Sequence, residues 1–501
     1  MDAGIQKLRG LLTFGREKED PAHALRSLLE SIADQSPIQV MAALHANYIP
    51  SVVTVSNLHM RFKLLESATG EIERSLPVLE QQVGQSPLPL NHEVSQAALV
   101  ADNFLKSIAA AYLGLVKAIE TQKLDSLLGH LLQNAARRAM QYLLRRQMLA
   151  YRAYAIPSSS SWLHMHALYR STRRLRLAQG SGDSQTVEQA YAVALLMAYG
   201  DPNKFRRDGM DALRQTLDQL APLTLIVEAA SISEDQTATP SRFFIQGDQG
   251  NAGCPLSKLP AGTPKANNFV IECRNLLTAI DRSLEAKTND NNERIAAPEA
   301  TLLALRTAFG GQMTRRFHRQ RFKPKAELVF GLSNLIHYLE GQALARRQED
   351  SHPPLPEVGT SEWAIVDESP DGFRLRYQKG EQQQCQAGDV VGLQPKGQSR
   401  VHICILRRIA NNGPNRLEVG LQEIASTTQV ITLPISRQKA IFVAKLPGHG
   451  GKPGLLLTPG SMPPGGQVVV DLPESGPTRF HAAFCLEGNA VMELHLLDPF
   501  S

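Results

Sequence analysis

Two short segments carry side chains that could do chemistry together. RRFHRQRF (315–322) places four arginines and one histidine in eight positions, with no acid among them. DESPDGF, Asp367 to Phe373, follows the apolar run WAIV and starts forty-eight positions after Arg319. A carboxylate such as Asp367 can accept two parallel hydrogen bonds from the N1–H and N2–H edge of a guanine, and a serine hydroxyl such as Ser369 can both donate and accept. Gly372 permits a positive φ and lets a planar base approach the backbone. Arginines pair bidentately with phosphate and stack on purine faces, which lysine does not. Together the segments describe a site for a ligand containing both guanine and phosphate. Neither has the nucleophile–base pair or metal-ligand cluster that hydrolysis would need.

The surrounding elements must position these groups. From about 320 onward the sequence alternates at period two. AELVFGL, EWAIVDES, GFRLRYQ, DVVGLQP, RVHICILRRI, RLEVGLQEI, TQVITLPI, KAIFVAKL, GLLLTP, QVVVDL, RFHAAFCLE and AVMELHLLD read as twelve short strands joined by Gly, Pro and Asn turns. That density predicts a small antiparallel barrel or two stacked β units. SNLIHYLEGQALARRQED (333–350) interrupts it as a helical insertion. The Asp–Ser–Gly unit therefore sits at a strand end, with the arginines on the segment leading into the sheet.

The order of these segments resembles the two-part signature of PilZ domains: Arg-x-x-x-Arg in RRFHR, then Asp/Asn-x-Ser-x-x-Gly in DESPDG. GDVVGL (388–393) and the hairpin ILRRIANNGPNRLEVGLQEI (405–424) continue the resemblance, which spans 312 to 428. PilZ domains are β-barrel receptors for cyclic di-GMP. The resemblance implies that Arg315 and Arg319, with Arg316 beside them, contact phosphate and guanine. It implies that Asp367 and Ser369 read base and phosphate edges and that Gly372 makes the turn. The ligand is then cyclic di-GMP, with no further cofactor and no metal.

The first half of the chain reads as antiparallel helical hairpins. DPAHALRSLLESIAD (20–34) has Asp20 as N-cap and Pro21 in the first turn. Helical periodicity continues through NLHMRFKLLESATGEIERSL, VSQAALVADNFLKSIAAAYLGLVKAI, LDSLLGHLLQNAARRAMQYLLRRQMLAYRAYAI, TVEQAYAVALLMAYG and FRRDGMDALRQTLDQL. Residues 225 to 290 are rich in turn formers, with one short strand at RFFIQ. The expected fold is α+β and multidomain. It comprises a helical domain (1–225), an irregular connector with short helices (226–311), a PilZ-type barrel (312–428) and additional β strands (429–501).

Between Ser126 and Gly182 the chain carries nine arginines and neither Asp nor Glu, with Tyr142, Tyr151, Tyr154, Trp162 and Tyr169 among them. This reads as a solvated face paired with acids of neighbouring helices. The alternative is a surface for RNA, anionic lipid or an acidic partner. His164 and His166 lie two apart, which on a helix points them away from each other. GHGGKPG (448–454) reads as a hairpin turn rather than a phosphate loop. Met140, Met148 and Met165 read as core filler.

A net charge of +5 over 501 residues does not indicate a nucleic-acid binder. Five scattered cysteines, none in CxxC spacing, fit reduced thiols in a bacterial cytoplasm. No signal peptide and no run of eighteen apolar residues is evident, so no transmembrane segment is expected. The sequence thus predicts a cytoplasmic second-messenger receptor, not an enzyme, whose helical half binds a protein partner and which controls motility, type IV pili, adhesion or exopolysaccharide. The alternative is a nucleotide-independent scaffold whose basic helical surface binds protein or RNA.

Overall fold

The computed structural model describes residues 21–122, 126–177, 185–232, 240–260, 262–285, 295–310, 324–345, 359–380, 384–411, 413, 416–433, 436–472 and 476–500. Asp20 and the segment holding Arg315, Arg316 and Arg319 lie outside these residues.

An all-α region comes first, followed by β structure. Its helices are α1 (Pro21–Ile32), α2 (Pro37–Ala43), α3 (Ile49–Val53), α4 (Leu58–Ser67), α5 (Thr69–Gln85), α6 (His92–Glu120), α7 (Ser126–Arg152), α8 (Ser159–Arg174), α9 (Val187–Gly200) and α10 (Met210–Leu220). Local chemistry sets several of their starts. The Asn57 side chain accepts from the Met60 N–H at 3.0 Å, and Asn91 accepts from the Val94 N–H at 2.9 Å. In α6, Ala97, Ala101, Phe104, Leu105, Ile108, Tyr112, Leu115 and Ile119 recur every three or four positions and are buried. By length and hydropathy α6 could cross a membrane, which the expectation of no such segment did not anticipate; half of its apolar stretch is covered within the protein.

The chain clusters into two compact units, neither continuous in sequence. One takes residues 1–82, 96–146 and 167–190; the other takes 83–95, 147–166 and 191–501. The second unit therefore contains helical segments as well as all the β structure among the described residues.

Where the sequence suggested an irregular connector with one strand, the structure has a four-stranded antiparallel sheet. Its strands are β1 (Leu225–Glu228), β2 (Arg242–Ile245), β3 (Cys254–Pro255) and β4 (Phe269–Glu272), in the order β1-β4-β2-β3. Strands of two to four residues contain too few alternations to show period two. Helices α11 (Arg274–Glu285) and α12 (Glu299–Gly310) follow.

The next strands close a barrel: β5 (Lys325–Phe330), β6 (Ser361–Ser369), β7 (Gly372–Gly380), β8 (Val390–Pro395), β9 (His402–Asn411) and β10 (Leu417–Ala425). Their order around the barrel is β10-β7-β6-β5-β8-β9. Helix α13 (Leu332–Ala345) is the insertion between β5 and β6. A six-stranded sheet ends the chain, formed by β11 (Thr428–Thr432), β12 (Lys439–Val443), β13 (Gly454–Leu457), β14 (Gln467–Leu472), β15 (Gly476–Gly488) and β16 (Glu493–Pro499). GHGGKPG lies in the β12–β13 hairpin connection.

Barrel and sheet share one apolar cluster. Leu335 and Ile336 of α13 pack with Val329, Val390, Ile403 and Ile405 from the barrel and with Ile441, Val443, Leu456 and Leu494 from the sheet. The insertion is thus a wedge whose apolar face both β units cover.

The outer face of the barrel as candidate ligand site

The Asp–Ser–Gly unit forms the end of the β6–β7 hairpin. Up to Ile365, strand β6 sends alternate residues inward: Ser361, Trp363 and Ile365 are each 2% exposed. Continued strictly, this alternation would turn Asp367 into the barrel. A register shift between Ile365 and Asp367 changes the pairing, setting Ile365 opposite Leu375 and Asp367 opposite Arg374, although Asp367 itself stays buried at 9% exposure. Asp367 therefore lies beside Arg374, its carboxylate 3.8 Å from Nη1.

Ser369 pairs with Gly372 across the hairpin, and its hydroxyl donates to the Gly372 carbonyl at 3.2 Å. Gly372 has φ 147°, and a Cβ there would come within 2.0 Å of the Leu421 carbonyl oxygen. Glycine is required at this position because β7 meets β10 backbone to backbone. The structure thus brings together Asp367, Ser369 and Gly372. The positions of Arg315, Arg316 and Arg319 fall outside the described residues.

Beside this hairpin sits a charge cluster that the sequence reading passed over. Arg374 and Arg376 alternate on β7 with the buried Phe373 and Leu375, so both point outward, and their side chains are about half exposed. Glu418 of β10 holds both. Its Oε2 accepts from Arg374 Nε at 3.0 Å and Nη2 at 2.5 Å, and its Oε1 accepts from Arg376 Nε at 3.0 Å and Nη2 at 2.7 Å. Burial alone would push the Glu418 carboxyl up. The hydrogen bonds from the two guanidinium groups outweigh that and hold it below the usual carboxylate range. The clamp uses two N–H donors of each arginine and fixes both guanidinium planes, with Nη1 of Arg374 facing Asp367. The alternation Phe-Arg-Leu-Arg after the Asp–Ser–Gly turn was the signal available for the arginines. Nothing local pointed to Glu418, more than forty residues away.

The second compact unit also ties its helical turns to the barrel. Arg206 Nη1 donates to Asp389 Oδ1 at 2.9 Å, and the Gln386 N–H donates to Asp389 Oδ2 at 2.7 Å. The Arg207 N–H donates to Gln386 Oε1 at 3.1 Å, and its guanidinium lies 5.5 Å from the Tyr154 ring centre. Burial pushes the Asp389 carboxyl up against the pull of these donors. It also lowers the pKa of Arg207 and pushes the neighbouring Cys385 thiol up to about 12.

Four of the nine arginines in the arginine-rich stretch pair with acids, whereas Arg174 and Arg176 are exposed. Arg138 pairs with Glu66, Arg145 with Glu80 at 2.8 Å and Glu73 at 2.7 Å, Arg146 with Asp102 at 2.6 Å, and Arg152 with Asp211 at 2.5 Å. Tyr142, Tyr151, Tyr154, Trp162 and Tyr169 are buried, as are Met140, Met148 and Met165. Buried His166 bonds the Tyr191 hydroxyl at 2.6 Å and the Asn251 carbonyl at 2.8 Å. Among the described residues no group of three or more His, Cys, Asp or Glu is arranged to hold a metal ion, and all five cysteines are free.

Comparison with known proteins places this barrel in a class. Residues 345–429 match the family described as the middle PilZ domain of the cyclic-di-GMP receptor FimW, and residues 23–230 match the N-terminal domain of the same receptor. A PilZ-type cyclic-di-GMP receptor domain thus occupies residues 345–429, behind an all-α region. Over 450 residues the chain is 21% identical to the cyclic-di-GMP receptor FimW of Pseudomonas aeruginosa, covering 75% of this chain and 73% of the relative.

Proposed function

We propose that the protein is a cyclic di-GMP receptor whose ligand binds on the outer barrel face at the β6–β7 hairpin. The observation that carries this reading is the bulge that sets the buried Asp367 opposite Arg374, on one hairpin with Ser369 and Gly372 and beside the clamped Arg374–Arg376 pair. Asp367 reads a guanine edge, Ser369 reads base and phosphate edges, and Arg315, Arg316 and Arg319 supply further cations from the segment preceding β5. Binding acts as a signal rather than a chemical step. The helical region 1–225 carries the message to a protein partner in the bacterial cytoplasm, with motility, type IV pili, adhesion or exopolysaccharide as output. The half-covered α6 supports a folded helical domain rather than a membrane anchor. The scaffold alternative is weakened because Arg138, Arg145 and Arg146 are paired with acids and the aromatics it relies on are buried.

Titration calorimetry with cyclic di-GMP tests the reading. The unaltered protein should bind at micromolar or lower concentration. Arg319→Ala should cost about 2–5 kcal/mol if its phosphate contact is desolvated, and Asp367→Ala should abolish guanine selectivity. A folded protein that gives no binding signal refutes it.

A further inference from the structure

The outer face holds one more arginine in register with the site. Asp367 of β6 pairs with Arg374 of β7, Arg374 with Gly420 of β10, and Gly420 with Arg408 of β9. The four residues form a row across four strands, with Arg374 and Arg408 separated by two strand spacings, about 10 Å. Gly420 is the floor between them. Unlike Gly372, it is not imposed by the fold, because a Cβ there would meet only Arg408, at 3.5 Å from its Cβ and 4.0 Å from its carbonyl oxygen. A glycine inside a strand costs roughly 0.5–1 kcal/mol and commonly marks a place where a ligand approaches the backbone.

In this structure Arg408 is engaged elsewhere. It pairs with Asp201, which starts the turn Pro202–Lys204 after α9 and which Lys204 also approaches at 3.4 Å. That turn runs on to Arg206 and Arg207, which bond Asp389 and Gln386. The turn is therefore held to the barrel at two places of different accessibility. The Arg206–Asp389 pair is mostly covered, at 21% and 11% side-chain exposure, whereas Arg408 is 48% exposed.

We propose that Arg408 is a ligand-binding residue of the nucleotide site and that the bound phosphate takes it from Asp201, so that the 201–207 turn reports occupancy. Resting on the receptor reading above, this inference adds its coupling element. A phosphodiester anion can take two guanidinium N–H groups at once, whereas Asp201 meets Arg408 through Nη1. Lys204 remains beside Asp201, so the aspartate is not left without a cation when Arg408 departs. Gly420 leaves the space through which the ligand reaches both arginines.

The test is cyclic di-GMP titration of the full chain and of Arg408→Gln, Asp201→Asn, the double variant and Gly420→Val, each checked for folding by circular dichroism. Amide hydrogen exchange of residues 198–208 is followed with and without nucleotide. Arg408→Gln should bind about tenfold more weakly, as for a lost charge-assisted pair. Asp201→Asn should bind about two- to fivefold more tightly, the range of a half-exposed ion pair. In the Arg408→Gln background Asp201→Asn should change nothing further. Gly420→Val should weaken binding in a folded barrel, and nucleotide should speed exchange of the 201–207 amides in the unaltered protein. Normal binding by Arg408→Gln, or weaker binding by Asp201→Asn, overturns the inference and leaves the receptor reading standing. Absence of binding by the unaltered protein overturns both.

Discussion

Gly372→Ala is the sharpest perturbation of the candidate site, because its cost can be worked from the backbone alone. The new Cβ would lie 2.0 Å from the Leu421 carbonyl oxygen and 3.0 Å from the Gln422 Cα, and neither atom belongs to a side chain that could swing away. Relieving the contact requires β7 and β10 to separate by about 1 Å. That shift takes the hydrogen bond from the Glu423 N–H to the Asp371 carbonyl, now 3.0 Å, beyond bonding range. The φ of 147° adds strain of about 1–3 kcal/mol for any residue but glycine, and the lost bond adds about 1 kcal/mol. The sum, about 2–4 kcal/mol, corresponds to roughly 30- to 1,000-fold faster exchange of the amides that open with the hairpin. Hydrogen exchange with mass spectrometry over 361–380 and 417–425 reads this directly, without assuming that the whole chain unfolds in one step. Gly420→Ala is the control, since its Cβ meets nothing nearer than 3.5 Å and exchange should stay close to that of the unaltered protein. Unchanged protection in Gly372→Ala would refute the claim that backbone contact imposes this glycine. Equal loosening in both variants would refute the distinction between them.

Two further outcomes are expected. Because Glu418 is held below the usual carboxylate range, its contribution is complete above about pH 4.3 and is lost as pH falls through the lower folded value. Glu418→Gln should therefore lower barrel stability by about 1–2 kcal/mol at pH 7, a figure discounted for the half-exposed guanidinium groups. Thermal midpoints of the two proteins should converge as the pH falls through that lower value, and a gap undiminished in acid would contradict the charge argument. Asp389→Ala removes the acceptor for both Arg206 and the Gln386 N–H and should cost about 2–4 kcal/mol in a calorimetric scan. A midpoint unchanged by this substitution would mean that the cluster does not hold the turn to the barrel.

The β half was legible because its signal is local. Strands such as EWAIVDES and RLEVGLQEI announce themselves through alternation, and all twelve candidates correspond to strands β5 to β16. The helix inserted after β5 was visible from its own periodicity. The small sheet β1–β4 was obscured because runs such as LIVE and FVIE are too short to alternate, and their pairing depends on residues some forty positions apart. Asp367, Ser369 and Gly372 could be named in advance as residue types suited to a guanine and a tight turn. Their common face could not, because it depends on a one-residue register shift that leaves no mark in composition.

The sequence by itself determined which segments alternate, that the first half is helical, and which short motif carries carboxylate, hydroxyl and glycine in the spacing of a PilZ site. Those properties follow from neighbours a few positions apart, through the periods of helix and strand. Only the tertiary structure decided which charges meet. Glu418 reaches Arg374 and Arg376 through strand register, Arg138, Arg145 and Arg146 find acids on other helices, and Arg408 finds Asp201 across 207 positions of chain. A charged side chain can pair with any opposite charge that folding brings near. The partner is therefore set by packing and register, which the chain specifies only as a whole.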